Sequence, residues 1–353
     1  MRRISVENIK GKEILARDVY DDMGTILMVA GTKIKKKYIQ RLLALGVKNI
    51  YVEDELAIGV YEEGDMENQI KEQCQEIMQD VLEHYLTTGY NELDRLQRVS
   101  QEVILNVMEK PQVMYNIAGV RRKSESMYSH SLSVCAMSVM LALRYGLSGK
   151  KLENIAMGSL LHDVGFSVLS IHNGDFSYNM LSNKELHDVK MHVITGFELV
   201  EKETWLSKEA KEIILSHHER LDQSGYPRRL SSKKQGIGVR IVAVCDEFDR
   251  MVYGYFTKQF KVPEAFERIM SQGGKTLDEK VVKTFYESVA AYPNGSIVVT
   301  NTGEMGIVLR QNYKLPMHPV IRLLRDAHGK KYKNWVEKDM SKDVSILIND
   351  IID

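Results

Sequence analysis

The stretch Leu152-Glu153-Asn154-Ile155-Ala156-Met157-Gly158-Ser159-Leu160-Leu161-His162-Asp163-Val164-Gly165 decides how this chain is read. Leu152, Ile155, Ala156, Ser159 and Leu160 recur at helical spacing, and Gly165 supplies a stop. The helix therefore delivers an imidazole and a carboxylate, side by side, at its end. Such a pair can offer a nitrogen and an oxygen to one centre. The carboxylate has a second oxygen with which to bridge two cations.

Outward from this pair, further histidines and an aspartate lie in or beside apolar helical runs. His130 opens the run Leu132 to Leu143. His192 begins a helix followed by Val193, Ile194 and Gly196. His217-His218 ends a helix carrying Ile213, Ile214 and Leu215. Asp246 follows Ile241-Val242-Ala243-Val244-Cys245, where an unpaired carboxylate is costly to bury and a metal or other cation removes the cost. The ordered series His130, His162-Asp163, His192, His217-His218 and Asp246 is a mixed nitrogen and oxygen donor set, which suits Fe, Mn or Zn. Two metals about 3.5–4 Å apart can clamp the attacking and leaving oxygens of a phosphodiester, with a bridging hydroxide as nucleophile. His84, His172, His187, His318 and His328 lack this setting and read as structural or surface residues.

At 353 residues the chain has room for two or three domains, and its 44% hydrophobic content allows a sizeable core. Lys plus Arg equals Asp plus Glu, 48 each, which argues against general nucleic-acid binding or a strongly basic membrane surface. Cys74, Cys135 and Cys245 form no CxxC pair and suggest no disulfide framework, so a cytoplasmic home is expected. No signal-type segment and no apolar run of about 18 residues is found, so no membrane span is expected.

Residues 1–60 read as a small α/β unit. Glu13 to Tyr20 and Thr25 to Val29 form a hairpin around Asp21-Asp22-Met23-Gly24, a helix covers Lys35 to Leu45, and a strand covers Val47 to Val52. Lys35-Lys36-Lys37 reads as a solvated face. Residues 61–111 are a helical linker that either packs on the next domain or pairs between subunits, leaving a homodimer open. Residues 112–291 are mainly α and hold the chemistry. Residues 292–353 form a small β-rich unit with strands at Ser296 to Thr300, Gly306 to Arg310 and Val320 to Leu324.

The motifs resemble those of the HD-GYP family. They are Tyr128-Ser129-His130-Ser131 with Val134, His162-Asp163-Val164-Gly165, and His192 with Gly196. Next come His217-His218-Glu219-Arg220-Leu221-Asp222-Gln223-Ser224-Gly225-Tyr226-Pro227, and Asp246 with Phe248-Asp249. The Gly225-Tyr226-Pro227 signature after His-His-Glu is specific, and the likeness spans about residues 120–260. It implies an HD-superfamily helical domain with two divalent metal ions, usually Fe or Mn, with Zn, Mg or Ni as alternatives. It also implies a cyclic dinucleotide substrate, cyclic di-GMP, hydrolysed to pGpG and/or GMP. By resemblance, His130, His162, Asp163 and Asp246 hold one metal. Asp163 as the bridge, with His192, His217 and His218, holds the second. Asp163 and His162 are then catalytic, and Tyr226 and Lys258 contact substrate. Gly225 permits a positive φ angle. A third metal found in some members would need a carboxylate where this chain has Ser126, beside Glu125.

The chain departs from the family at several positions. Phe166 stands where a phosphate-facing Lys is usual, Tyr255 where an Arg is common, and Gln223 where Gly is common, while Arg250 replaces a small residue. Losing cations from the phosphate side can cost roughly 10²–10³-fold in turnover while metals are kept. The alternative reading is therefore a catalytically weak, metal-bearing module that binds a cyclic dinucleotide for signalling. A third is an HD-type phosphohydrolase for another nucleotide.

Overall fold

A computed structural model describes residues 2–16, 18–20, 26–45, 47, 49–53, 68–88, 92–109, 127–169, 183–254 and 256–352. The chain divides into two compact units. One joins Met1–Asp65, Met114–Ser124 and Val289–Asp353; the other joins Met66–Val113 and Glu125–Ser288.

The N-terminal part of the first unit contains β1 (Arg2–Ser5), β2 (Val19–Tyr20), β3 (Ile26–Met28), α1 (Ile39–Ala44) and β4 (Asn49–Val52). β2 and β3 pair antiparallel as the expected hairpin, whose turn at 21–25 lies outside the described residues. β4 pairs antiparallel with β1, a strand too polar to be marked from sequence. The expected helix from Lys35 begins as a 3-10 turn, Lys36–Tyr38, before α1, and Lys35, Lys36 and Lys37 are exposed. Val6, Leu15, Ile34, Leu42, Ile50 and Val52 form the core between these elements.

The second unit is all helical. It comprises α2 (Asn68–Thr88), α3 (Leu96–Glu109), α4 (Met127–Tyr145), α5 (Lys150–Leu160), α6 (Asn183–Val200), α7 (Lys208–Ser216), α8 (Ile237–Tyr253), α9 (Val262–Gln272) and α10 (Glu279–Tyr286). α4 is apolar nearly all round, as a central helix must be. It packs against α2, α3, α5, α8 and α10. Of the two roles open to the helices before residue 110, packing on the helical domain is the one seen: α2 and α3 both lie on α4.

His192 does not begin its helix. α6 starts at Asn183, so His192 sits mid-helix, its ring nitrogen Nδ1 turned back on the carbonyl of Val189. The polar opening Asn183-Lys184-Glu185 carries no apolar periodicity, which is why the start is not legible.

At the C-terminus, β5 (Ile297–Thr300), β6 (Met305–Arg310), β7 (Val320–Arg325), β8 (Lys331–Asp339) and β9 (Ile348–Ile352) form one antiparallel sheet in the order β8-β7-β6-β5-β9. The three central strands are those expected from sequence. β8 and β9 were not expected, and both are edges. The fold is thus mainly α, with a small α/β unit before and a small β unit after the helical domain. No helix among the described residues is long and apolar enough to cross a membrane.

Candidate metal centre

His162 and Asp163 occupy the turn between the end of α5 and a 3-10 turn, Val164–Ser167. Gly165 sits in that turn because α6 leaves it no room. A Cβ there would lie 2.0 Å from the His192 carbonyl oxygen and 2.7 Å from the Gly196 nitrogen. The missing side chain lets the turn holding Asp163 lie against the part of α6 that holds His192.

α4 contributes His130 from its first turn, α7 leads into His217 and His218 at its close, and α8 contributes Asp246. His130, His162, Asp163, His192, His217, His218 and Asp246 are all buried. Every metal-ligand candidate is therefore brought to one place.

Asp163 divides its two oxygens between two groups of imidazoles. Its Oδ2 lies 3.4 Å from His130 Nε2 and 3.5 Å from His162 Nε2. Its Oδ1 lies 3.2 Å from His192 Nε2 and 3.7 Å from His217 Nε2. Asp246 Oδ1 joins the first group, 3.2 Å from His130 Nε2 and 3.7 Å from His162 Nε2. In the second group, Asp163, His192, His217 and His218 each offer one atom, all within 4.8 Å of one another.

The outer nitrogens fix which way the lone pairs face. His162 Nδ1 lies 2.7 Å from the Ser159 carbonyl, His192 Nδ1 meets the Val189 carbonyl, and His217 Nδ1 lies 3.1 Å from that of Ile214. A carbonyl only accepts, so in each ring Nδ1 carries the hydrogen and donates, and the Nε2 lone pair points inward. His192 Nε2 and His217 Nε2 stand 3.2 Å apart beside Asp163 Oδ1. Asp246 Oδ2 is buried and accepts no hydrogen bond among the described residues. Converging acceptors with a buried orphaned carboxylate oxygen form a setting that a divalent cation satisfies, so the donor set fits the group expected from sequence.

Electrostatics agree. Burial pushes Asp163 up, but the surrounding imidazoles, His162 first and then His192 and His217, outweigh it and hold the carboxyl well below its usual range. Asp246 is likewise held low against burial, by His218 and Arg250. Burial drives His217 down to about 4 and is also the main cause of the low His218 value, with His217 adding to it. Both rings are then neutral and able to ligate. His130 behaves oppositely. Burial alone would lower it, but Asp246 and Asp249 lift it to about 9.

Two site residues were not distinguished from sequence. Asp249 is buried and sets His130, with Oδ2 2.6 Å from its Nδ1, while Ser133 donates to Oδ1 at 2.6 Å. Arg250 places Nη1 3.8 Å from Asp246 Oδ2 and 3.5 Å from His218 Nδ1.

The substrate-side candidates have separate fates. The Tyr226 ring stacks on His218 with centroids 4.7 Å apart. Lys258 is exposed, its Nζ 5.5 Å from the Phe260 ring, and no contact among the described residues places it on the cluster. Phe166 is buried and stacks on His192 at 4.2 Å and on Phe256 at 4.9 Å. Tyr255, Glu125, Ser126 and His172 lie outside the described residues. His84, His187 and His328 are exposed, and His318 is half-buried in the β unit.

Gly225 does not use the positive φ that it permits. It is needed because a Cβ would lie 2.3 Å from the His218 carbonyl oxygen. The positive φ, 67°, falls on Gln223 instead, where the family commonly has Gly. Glu219 is buried and clamps the loop, accepting from the Arg228 N–H at 2.7 Å and the Leu230 N–H at 2.8 Å.

A family model described as an HD domain matches residues 112–281. Another, described as a KOW domain associated with the HD domain, matches residues 297–353. A cyclic di-GMP phosphodiesterase of Pseudomonas aeruginosa is 27% identical over 233 residues, covering 65% of this chain and 55% of the relative. A cyclic di-GMP phosphodiesterase of Thermotoga maritima is 34% identical over 163 residues, 45% of this chain and 43% of its own. A 3'3'-cGAMP-specific phosphodiesterase of Vibrio cholerae is 29% identical over 226 residues, 62% of this chain and 41% of its own. The chain thus spans about half the length of the curated relatives it matches. An HDGYP protein of Bdellovibrio bacteriovorus shares the fold, with TM-score 0.53 and 18% identity over 80% of this chain and 97% of that one.

An all-helical domain with a His-Asp pair closing one helix, met by histidines and an aspartate from its neighbours, is an HD domain. With the Gly225-Tyr226-Pro227 loop folded back on His218, the chain belongs to the HD-GYP family.

Proposed function

We propose that this chain is a phosphodiesterase that hydrolyses cyclic di-GMP to pGpG and/or GMP, in the cytoplasm, at a centre for two divalent ions. The observation that carries the reading is the division of Asp163, one oxygen toward His130 and His162 and the other toward His192 and His217. His130, His162, Asp163 and Asp246 would hold one ion, and Asp163, His192, His217 and His218 the other. Fe or Mn suits this mixed set, and the relatives named as cyclic dinucleotide phosphodiesterases support the substrate class. When bound, such ions activate water and polarise a phosphoryl oxygen.

The remaining work falls to the chain. Ser159, Val189 and Ile214 carbonyls fix three imidazoles, so the donor set needs little reorganisation. Tyr226, held over His218, offers an aromatic face for a nucleobase, and the Glu219 clamp keeps its loop in place. Lys258 is reachable from solvent and would meet the outer part of a dinucleotide. Three buried free thiols are compatible with a reducing cytoplasm.

The test is anaerobic incubation with cyclic di-GMP after loading with Fe(II) or Mn(II), with products separated by chromatography and Asp163→Asn as control. Conversion to pGpG or GMP that vanishes in the control is expected. Metal-loaded protein that binds the dinucleotide without converting it would instead establish the weak signalling module. A parallel incubation with 3'3'-cGAMP separates the two cyclic dinucleotides.

A further inference from the structure

The chain carries 48 basic and 48 acidic residues, but the balance is not kept locally. In the N-terminal part, the segment around Ile14 runs antiparallel to the one around Lys33, and these two residues form a β-bridge. The Leu15 N–H donates to the Thr32 carbonyl at 2.9 Å, and the Ile34 N–H to the Glu13 carbonyl at 2.8 Å. Bridge partners point to the same side, and their chain neighbours to the other. Leu15 and Ile34 are accordingly buried in the core, while Ile14 is 38% exposed and Lys33 is exposed. The alternation carries Lys12 and Lys35, both exposed, to the outer side with them.

Lys10 and Lys36, also exposed, extend this face. A Cβ at Gly11 would lie 3.1 Å from Lys36 Cγ, so the Lys36 stem rests on the loop between Lys10 and Lys12. None of the five lysines pairs with a described carboxylate. Residues 10–16 and 31–37 hold a single acidic residue, Glu13. Its carboxylate is turned onto the backbone, accepting from the N–H groups of Lys10, Gly11 and Lys12 at 2.9, 2.8 and 2.8 Å. Val29 opens the turn into the second segment and leaves a further aliphatic side chain 54% exposed.

We propose that this face docks on an anionic lipid bilayer, its five ammonium groups meeting headgroup phosphates with Ile14 seated among them. The inference is independent of the phosphodiesterase reading. A lysine lays its aliphatic stem on apolar surface and keeps its charge at the polar boundary, so a lysine beside an aliphatic residue suits the edge of a bilayer. Near a negatively charged leaflet each lysine contributes about fivefold in affinity. A groove for nucleic acid instead combines its cations with aromatic rings for the bases. Here the side chain between the lysines is an isoleucine. The equal totals of charge exclude a surface that is basic all round, not one basic face, and a peripheral contact needs no membrane-spanning helix.

The test is co-sedimentation of the full chain with phosphatidylcholine vesicles, with and without phosphatidylglycerol, at low and high salt. Wild type is compared with the triple variant Lys12→Gln, Lys33→Gln, Lys35→Gln and with Ile14→Ser, the thermal midpoint of each being measured. Wild type is expected to sediment only with vesicles containing phosphatidylglycerol and to be released by salt. The triple variant should lose about 100-fold in affinity at an unchanged midpoint. Ile14→Ser should lose about three- to tenfold. The salt dependence of wild type reads the same charges without any substitution. Equal sedimentation with and without phosphatidylglycerol would overturn the proposal, as would no sedimentation at all or full binding by the triple variant. Tighter capture by duplex DNA or by polyglutamate, titrated in parallel, would overturn it in favour of a nucleic acid or an acidic protein. No substrate enters these assays, so failure of the phosphodiesterase reading would leave their outcome untouched.

Discussion

At the scale of the residue, the contact between His130 and Asp249 sets a pH dependence. In the metal-free protein His130 is lifted to about 9, so loading a cation must expel its proton. Apparent Mn(II) affinity should rise with pH by up to about tenfold per unit between pH 7 and 9, then level off. Isothermal titration across that range checks the slope; a flat profile would mean that His130 does not ligate. Asp249→Asn removes the carboxylate that holds Nδ1. It should weaken metal binding by about 10–100-fold and move the levelling point to lower pH, a shift that simple loss of packing would not produce. Every ligand candidate was legible because each is a costly group to bury in an apolar run. Asp249 and Arg250 were not, since a charged residue one turn past Asp246 reads equally well as a solvated helix face. Only packing reveals which face α8 turns inward.

At the scale of the element, two turns position the site and can be tested by stability. Gly165→Ala would drive a methyl into the His192 carbonyl, so the turn and α6 must part. A loss of about 3 kcal/mol in denaturant unfolding is expected, with loss of bound metal. Gln223→Gly should do the reverse, raising stability by about 0.5–1 kcal/mol by relieving a side chain held at φ 67°. An unchanged or lower midpoint would show that Gln223 makes a compensating contact. The central strands of the β unit were readable from their apolar runs. β8 was not, because an edge strand such as Lys331-Tyr332-Lys333-Asn334-Trp335-Val336-Glu337-Lys338-Asp339 carries the charges that protect an open edge. The same polarity hid β1, and the short apolar content of β9 fell below any threshold of period.

At the scale of the whole molecule, the chain has two tryptophans, and each unit holds one: Trp205 in the helical unit and Trp335 in the other. Trp335→Phe leaves a reporter of the helical unit, and Trp205→Phe a reporter of the β unit, where the Arg322 guanidinium lies 4.2 Å over the Trp335 ring. Mn(II) at about 100 times its dissociation constant should stabilise the Trp205 transition by about 2.7 kcal/mol. The Trp335 transition should stay in place; equal displacement of both in fluorescence-detected unfolding would show that the units unfold together. One further consequence follows from α8, which carries Asp246, Asp249 and Arg250 at spacings of three and four residues. Successive residues on a helix are about 100° apart, so these three fall within one sector of about 100°. A roll of that single rod about its axis would displace all three together, so the seat of α8 against its neighbours holds three parts of the centre in register at once.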